Sequence, residues 1–433
     1  MLLKRIQLGL IHVAVAMTLV PINSTLNRVM IKELSISATL VAILASLPYL
    51  FSPIQVAIGS FSDRHPLWGL RRTPYIVLGL LLCVLGLVLS PQAAFLLADN
   101  WQLGTILGVA AFGAWGMGFN FATVAYLSLA SELSGEKNRG RTIAVMWFMM
   151  IVSIVVTAIG LSQMVDPYTP QAMVRAFRVI GLAALSLGLI GLVRLESRRA
   201  QTLHPAESQS WGILIKAVLE NRQASLFFWY LIILLAAILG QDILLEPFGG
   251  EAFGMAVKDT TRITSIWGGC VLLALVIAGA FEGRVAKRLV ASIGALVATL
   301  GFILIVASGL LLNQMVFYTG VVLLGSGTGL ATVSNLSLML DMTTPSKVGL
   351  FIGAWGMANA ISRLIGSVLG GAVRDLVTQL SHSPIIGYIV VFGIEAGLLL
   401  ISLLILRQID VGAFQQQSRR LSLTEQAALS AEA

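Results

Sequence analysis

Long apolar runs separated by short polar segments constrain this chain more than any other feature of its sequence. A helix needs roughly 20 apolar residues to cross the hydrocarbon core of a bilayer. Runs of that length predict an all-α polytopic membrane protein with twelve transmembrane helices. The predicted helices cover 6–30, 37–61, 74–97, 103–131, 142–165, 175–194, 225–246, 260–281, 289–311, 314–340, 348–373 and 384–406.

Charged side chains are too few to build a water-exposed surface. They make up 11% of the residues, against 57% hydrophobic residues and a mean hydropathy of +0.90. Soluble domains are about one quarter charged. The net charge of +8 does not indicate a nucleic-acid partner, because the basic residues lie in short clusters between apolar runs. The predicted partner is the lipid bilayer.

Lysine and arginine fix the predicted orientation. The segments on the same side as the N-terminus hold 20 of them and the opposite segments hold 7, with Arg363 left inside a helix. Such residues concentrate on the cytoplasmic side of membrane proteins. We therefore expect an integral protein of the inner (cytoplasmic) or thylakoid membrane with both termini in the cytoplasm.

The second half of the chain repeats part of the first half. A shift of 209 places aligns ATVAYLSLASE (122–132) with ATVSNLSLMLD (331–341), and 116–140 then holds nine identities in 25 positions. An offset of six helices preserves orientation, as in the two halves of major facilitator transporters. The fold class predicted is two pseudo-symmetric six-helix bundles.

Four segments follow from this repeat. Residues 1–194 form the N-terminal bundle and residues 225–410 form the C-terminal bundle. The polar linker 195–224 contains WGILIKAVL, which has the spacing of an amphipathic helix on the inner membrane face. The tail 411–433 is expected to be cytoplasmic and disordered.

The segment GSFSDRHPLWGLRRTP (59–74) ends helix 2 and is similar to the loop signature of major facilitators. Asp63 could sit against the positive end of helix 11 and pair with arginines of the neighbouring loop, which would latch one conformation. The alternative is a set of positive-inside anchors. The residues of this loop motif are Gly59, Asp63, Arg64, Gly69, Arg71 and Arg72, with Arg139 and Arg141 as partners.

Glycines repeat in GAWGMG (113–118) and GSGTG (325–329). Both stretches lie inside apolar helices with no preceding strand, so they do not indicate a phosphate-binding loop. Small residues allow close helix packing in membranes. We assign that role to Gly116, Gly118, Gly325 and Gly327.

Acidic side chains at membrane depth are expensive and mark candidate functional sites. Asp242 and Glu246 are four residues apart, so one continuous helix 7 would place them on the same face. Pro247, Gly249 and Gly250 are expected to stop that helix. The alternative is that Glu246 has already reached the interface.

Three further polar groups lie within predicted helices. His12 is two turns into helix 1, Arg363 is in helix 11 and Glu395 is near the middle of helix 12. Helices 11 and 12 are antiparallel neighbours, which makes an Arg363–Glu395 pair the expectation, with a structural or a functional role left open. His12 is either a core histidine or a ligand.

Catalytic and metal-binding patterns are absent from the sequence. The four histidines are scattered over different segments, and no nucleophile–base–acid set or metal-ligand spacing occurs. We therefore predict no enzymatic activity, no catalytic residues, no metal site and no cofactor that the residues themselves specify.

Several phrases carry a resemblance that covers nearly the whole chain except its tail. The chain resembles the PucC/LhaA family, also called the bacteriochlorophyll delivery family, of the major facilitator superfamily, and a member of cyanobacterial type is expected. These phrases are SDRHPLWGLRRTPYI (62–76), DILLEPFGGEAFGM (242–255), TT (260–261) with TSIWGG (264–269), GLFIGAWGMANAISR (349–363) and GGAVRD (370–375).

The resemblance implies a membrane factor that handles or delivers chlorophyll-type pigment and assists assembly of light-harvesting complexes. It implies pigment as a bound cargo and antenna or photosystem subunits as partners. Magnesium of a chlorin accepts an oxygen or imidazole ligand, so His12 and the Arg363–Glu395 pair are the cargo candidates. The alternatives are a secondary transporter of a small solute, coupled to protons through Asp242 or Glu246, and a scaffold that does not transport.

Overall fold

The computed structural model describes residues 2–197, 221–281, 284–343 and 348–416, and these are almost entirely helical. Ten helices of the described chain are long and apolar enough to cross a membrane. The broken helix α2 and the continuous helix α11 are added to these ten, and the resulting order of helices fits the predicted twelve. The helices are α1 Leu2–Glu33, α2 Ala38–Ala45 with Leu47–Leu50 and Ile54–Arg64, α3 Thr73–Asp99, α4 Trp101–Gly135, α5 Gly140–Met164, α6 Pro170–Leu192, α7 Arg222–Gly240 with Leu245–Phe253, α8 Val257–Ala280, α9 Lys287–Leu311, α10 Gln314–Asp341, α11 Val348–Ser381 and α12 Pro384–Leu406.

Helix α2 is not the continuous helix that the hydropathy pattern predicts. It breaks after Ala45 and again before Ile54, and each break lies beside a proline, Pro48 or Pro53. Proline has no backbone N–H and its ring clashes with the preceding turn, so a helix kinks or ends there. The broken region lies beside α4 and α11.

Helix α7 is also broken, and the predicted stop at Pro247 is wrong. The regular helix ends at Gly240, a 3₁₀ turn covers Gln241–Ile243, and a short helix resumes at Leu245. Pro247 occupies an early position of this short helix, where a missing N–H costs little. The helix ends instead at Gly254, whose φ of 62° is the left-handed conformation that glycine tolerates.

The glycine pairs related by the shift of 209 pack in the same way in both halves. A Cβ on Gly118 would lie 2.4 Å from Cys83 N in α3, and a Cβ on Gly327 would lie 2.4 Å from Ala298 N in α9. Gly116 and Gly325 likewise abut the backbones of α2 and α8, at 2.9 Å from Pro48 N and 2.7 Å from Trp267 O. Backbones approach this closely only where side chains are missing. These contacts express the internal repeat in three dimensions.

Both ends of the described chain lie on one face, which we call the terminal face. Gln7 Nε2 donates to Val193 O at 2.9 Å, and Asp410 N donates to Gln223 Oε1 at 2.9 Å. The opposite face, called the distal face, carries the α1–α2, α5–α6, α7–α8 and α11–α12 turns. In the predicted orientation the terminal face is cytoplasmic.

The linker and the tail differ in how far the structure describes them. The predicted amphipathic helix WGILIKAVL lies outside the described residues. Residues 411–416 are helical and Phe414 is fully buried. The predicted disorder of the tail is therefore wrong for this segment, while the rest of the tail lies outside the described residues.

Candidate functional site

Polar contacts join the two halves at the distal face. We call this set of contacts the distal seal. Each of these contacts connects a described residue of one half to a described residue of the other. Its members are Ser24–Glu246, Thr25–Thr261, Arg28–Met255, Lys32–Glu251, Lys258–Asp166 and the bonds of Asp375 to Ala38 and Thr39.

Glu246 lies inside the distal seal and has not reached the interface. It is 3% exposed and accepts hydrogen bonds from Ser24 Oγ of α1 and Thr264 Oγ1 of α8, both at 2.5 Å. A buried carboxylate is tolerated where such bonds replace water. Glu246 therefore links three helices from both halves.

Irregular backbone in α1 positions two side chains of the distal seal. After Pro21, α1 continues as two π-helical stretches, Ile22–Leu26 and Val29–Glu33. A π turn shifts the helix face locally and often occurs at functional sites. Ser24 and Thr25 in the first stretch both contact the C-terminal half, with Thr25 Oγ1 2.8 Å from Thr261 Oγ1.

Asp375 of α11 caps a helix that belongs to the other half. Its carboxylate accepts from Ala38 N at 3.1 Å and from Thr39 N and Oγ1 at 2.8 and 2.7 Å. These groups form the positive first turn of α2, where an anion is stabilising. The cap connects α2 and α11, which pack along the seam between the halves.

Asp242 and Arg363 form an ion pair in the seam, at 3.3 Å between Oδ2 and Nη1. The expected Arg363–Glu395 pair is therefore wrong. The 3₁₀ turn of α7 separates Asp242 from the short helix that holds Glu246, and the two acids bind different partners. The side chains of Asp242 and Arg363 keep 25% and 28% of their area exposed. The Arg363 guanidinium also lies 5.2 Å from the ring of Tyr49 in α2.

Glu395 lies behind this pair. It is 4% exposed, and its Oε1 is 2.7 Å from the position that a Cβ of Gly240 would occupy. Glycine at 240 thus makes room for the carboxyl where α12 meets the end of the regular part of α7. Oε2 has no hydrogen-bond partner among the described residues. Asp242, Arg363 and Glu395 therefore lie close together, but Asp242 is the acid that pairs with Arg363, the role predicted for Glu395.

His12 lies apart from this group, in the N-terminal half. Its ring is 5.2 Å from Tyr126 of α4 and 6.2 Å from Trp147 of α5, measured between centroids. The side chain is buried, and Nδ1 has no partner among the described residues. Trp147 and its neighbour Phe148 are about half exposed, at 48% and 53%. The imidazole is therefore held in an aromatic setting near an exposed apolar surface.

The loop motif forms a charge network on the terminal face. Arg72 bridges Asp63 at 2.6 Å and Glu132 at 2.9 Å, and Arg71 contacts Glu132 at 3.1 Å. Glu196 accepts from the backbone N–H groups of residues 71–73 and so caps α3. The network ties the α2–α3 loop to α4 and to the beginning of the linker.

The remaining motif residues have structural positions of their own. Gly69 has a φ of 75°, which allows the tight turn that HisProLeuTrp requires, and Gly59 packs against Val124 of α4. Arg64 and Arg141 are exposed, and the side chain of Arg139 lies outside the described part of the chain. Asp63 is bound to its own loop here, so the latch against α11 stays a prediction.

Known proteins with similar sequences and folds extend over nearly all of this chain. Protein PucC of Cereibacter sphaeroides is 31% identical over 420 residues, which cover 93% of this chain and 91% of that protein. The bacteriochlorophyll synthase 44.5 kDa chain of Rhodobacter capsulatus is 28% identical over 415 residues, covering 92% and 94%. The cyanobacterial type stays a prediction.

The fold has solved counterparts among transporters. The crystal structure of a mutant of the nucleoside transporter NupG superposes with a TM-score of 0.74 at 14% identity, covering 94% of this chain and 99% of that one. This likeness shows the fold, which is that of the major facilitators. A model of the family described as PUCC protein matches residues 25–414. This integral membrane protein therefore belongs to the PUCC protein family.

Proposed function

We propose that this protein handles a chlorophyll-type pigment in the membrane and assists assembly of light-harvesting complexes. Family membership supports the proposal, as does the name of the relative called a bacteriochlorophyll synthase chain. The proposed partners are the pigment and antenna or photosystem subunits in an inner or thylakoid membrane. No catalytic step is assigned to the chain.

The observation that carries the proposal is the setting of His12. A chlorin needs an apolar, flat surface and a ligand for its magnesium, and imidazole nitrogen is a common metal ligand. His12 offers an imidazole beside two aromatic rings, next to the half-exposed Trp147. Among the described residues, the buried Nδ1 has no hydrogen-bond partner.

The absence of charge from two of the long helices supports an apolar cargo. The stretches 101–131 and 314–340, which correspond to α4 and α10, contain no Asp, Glu, Lys or Arg. A strongly polar solute needs a matching set of polar groups in its site. With the halves joined at the distal face, cargo would enter from the terminal face or from the bilayer.

The test is purification from a native host in a mild detergent, followed by an absorption spectrum and identification of bound proteins. We expect wild type to carry pigment and His12→Asn to lose most of it. His382→Asn is the matched control, because His382 is exposed on the distal face with a φ of 53° that asparagine tolerates. Equal pigment in all three proteins would refute the role of His12, and pigment-free wild type would refute the proposed function.

The second candidate is a proton-coupled transporter of a small solute. The partly exposed Asp242–Arg363 pair favours it, because intramembrane ion pairs mark transport pathways. Proteoliposomes loaded with a pH-sensitive dye distinguish the two candidates. Solute-driven proton movement that is lost in Asp242→Asn would favour the transporter, whereas pigment without proton movement favours handling of pigment. A protein that does neither but retains antenna subunits would be a scaffold.

A further inference from the structure

A polar cavity opens on the distal face at the seam between the halves. Its volume is about 430 Å³, and both halves contribute to its wall. The α1–α2 turn supplies hydroxyl groups, and the last turns of α11 supply charged and polar groups. The lining residues are Ser35, Ser37, Thr39, Arg374, Asp375, Thr378 and Gln379.

Arg374 is the buried cation of this cavity. It is 8% exposed, its guanidinium lies 4.8 Å from the ring of Tyr388, and its Nη1 donates to Asp375 at 3.0 Å. Its Nε has no hydrogen-bond partner among the described residues, and neither does Oγ1 of Thr378. A buried guanidinium with an unused donor is costly unless an acceptor is supplied.

The single acid of the cavity wall is already neutralised. Asp375 accepts from Ala38 N and Arg374 with one oxygen and from the N–H and hydroxyl of Thr39 with the other. The first turn of α2 adds its own partial positive charge. The wall therefore presents an excess of donors from the Arg374 guanidinium, the Ser35 hydroxyl and the Gln379 amide.

We propose that this cavity binds a phosphate-type anion, supplied as a free ion or as a lipid headgroup. Arginine with hydroxyl donors is the donor set that phosphate oxygens require. Because the wall comes from both halves, the bound anion would bridge them and stabilise the distal seal. The site lies apart from His12 and from the Asp242–Arg363 pair, so the inference does not depend on the proposed function.

The free-ion arm of the test follows thermal unfolding of the purified full chain as inorganic phosphate replaces chloride at constant ionic strength. A ligand of the folded state raises the unfolding midpoint in proportion to its occupancy. Gln379→Glu adds a negative charge at the exposed rim of the cavity without removing a bond of the seal. We expect apparent phosphate affinity to fall by about five-fold or more in this variant, because like charges repel even through water.

The control variant carries the same glutamine-to-glutamate change at a position away from the cavity. Gln163→Glu lies at the exposed distal end of α5, away from the cavity, and should leave phosphate affinity unchanged. Gln379→Lys should raise it. The lipid arm uses nanodiscs of phosphatidylglycerol or phosphatidylcholine and measures the lipid that remains bound after extraction by native mass spectrometry.

Each outcome decides the proposal. Saturable stabilisation by phosphate that follows the charge at 379 supports a free anion. Retention of phosphatidylglycerol that Gln379→Glu abolishes, without an effect of phosphate, supports a lipid headgroup. Equal behaviour of the 379 and 163 variants, or no binding in either arm, overturns the site.

Discussion

At Gly371, one added side-chain atom should be enough to disturb the packing of the distal seal. It lies in α11 where that helix crosses the first residues of α2, in the opposite half. A Cβ at this position would lie 2.8 Å from Ala38 O, 2.9 Å from Ala38 C and 3.0 Å from Thr39 N. All three neighbours are backbone atoms, so no side chain can turn away to make room. Gly371→Ala should therefore push α2 and α11 apart.

The size of the effect follows from the cost of overpacking. One inserted methyl group in a tightly packed contact costs about 1–3 kcal/mol. Since 1.4 kcal/mol is a factor of ten, the substitution should shift the population away from the sealed state by roughly 5-fold to 150-fold. The same displacement lengthens the bonds of Asp375 to Ala38 and Thr39, which adds to the shift.

A disulfide across the seal measures that population. Thr25 and Thr261 have hydroxyl oxygens 2.8 Å apart, so the Thr25→Cys/Thr261→Cys pair should cross-link in the sealed state. The native Cys83 and Cys270 are replaced in the background protein. Gly371→Ala should lower the cross-linked fraction strongly at equal folded protein.

The neighbouring glycine supplies the control. A Cβ on Gly370 would meet side-chain methyls of Leu244 and Val391 at 3.5 and 3.6 Å, which is ordinary contact. Gly370→Ala should therefore cross-link like wild type. Equal cross-linking of the two alanine variants would refute the reasoning that α2 and α11 close the distal face by backbone contact.

Further predictions concern the charged groups. Asp242→Ala leaves the guanidinium of Arg363 unpaired and should lower the unfolding midpoint more than the Asp242→Ala/Arg363→Met double variant does; additive losses would contradict a coupled pair. Glu246→Ala removes the acceptor of two hydroxyl hydrogen bonds, each worth about 1 kcal/mol, and should reduce distal cross-linking more than Glu246→Gln; equal yields would exclude this role. Asp63→Asn should change accessibility labelling from the two membrane sides if the latch exists, and unchanged labelling would remove it. Glu196→Ala should cost about 1 kcal/mol through the lost cap of α3, read as a lower unfolding midpoint, and an unchanged midpoint would contradict it.

The architecture was predictable because its determinants are local and repeated. Apolar run length gives the helices, and the match at offset 209 gives the two halves. The glycines of that match lie at equivalent contacts, Gly118 against α3 and Gly327 against α9. These features depend on residue size and hydropathy, which a sequence displays directly.

The site was less predictable because its partners are distant in the chain. Depth along a helix is known from sequence only to within a turn or two, and one turn decides whether Arg363 meets Glu395 or Asp242. The break in α7 has no strong signal at Gly240, whereas Pro48 and Pro53 do indicate the breaks in α2. The cap of α2 by Asp375 spans more than 330 positions, and only GGAVRD drew attention to that acid.

The repeat also extends to an ion pair at equivalent positions of the two halves. Glu132 pairs with Arg72 before α3, and its counterpart Asp341 pairs with Lys287 at the start of α9, at 2.8 Å. An acid at the end of the fourth helix of each half thus binds a base at the start of the third. In the N-terminal half, Asp63 and Glu196 also bind Arg72. Arg72 therefore ties the end of α2 to α4, and Glu196 ties the first turn of α3 to the beginning of the linker, so this network holds four segments of the N-terminal half together.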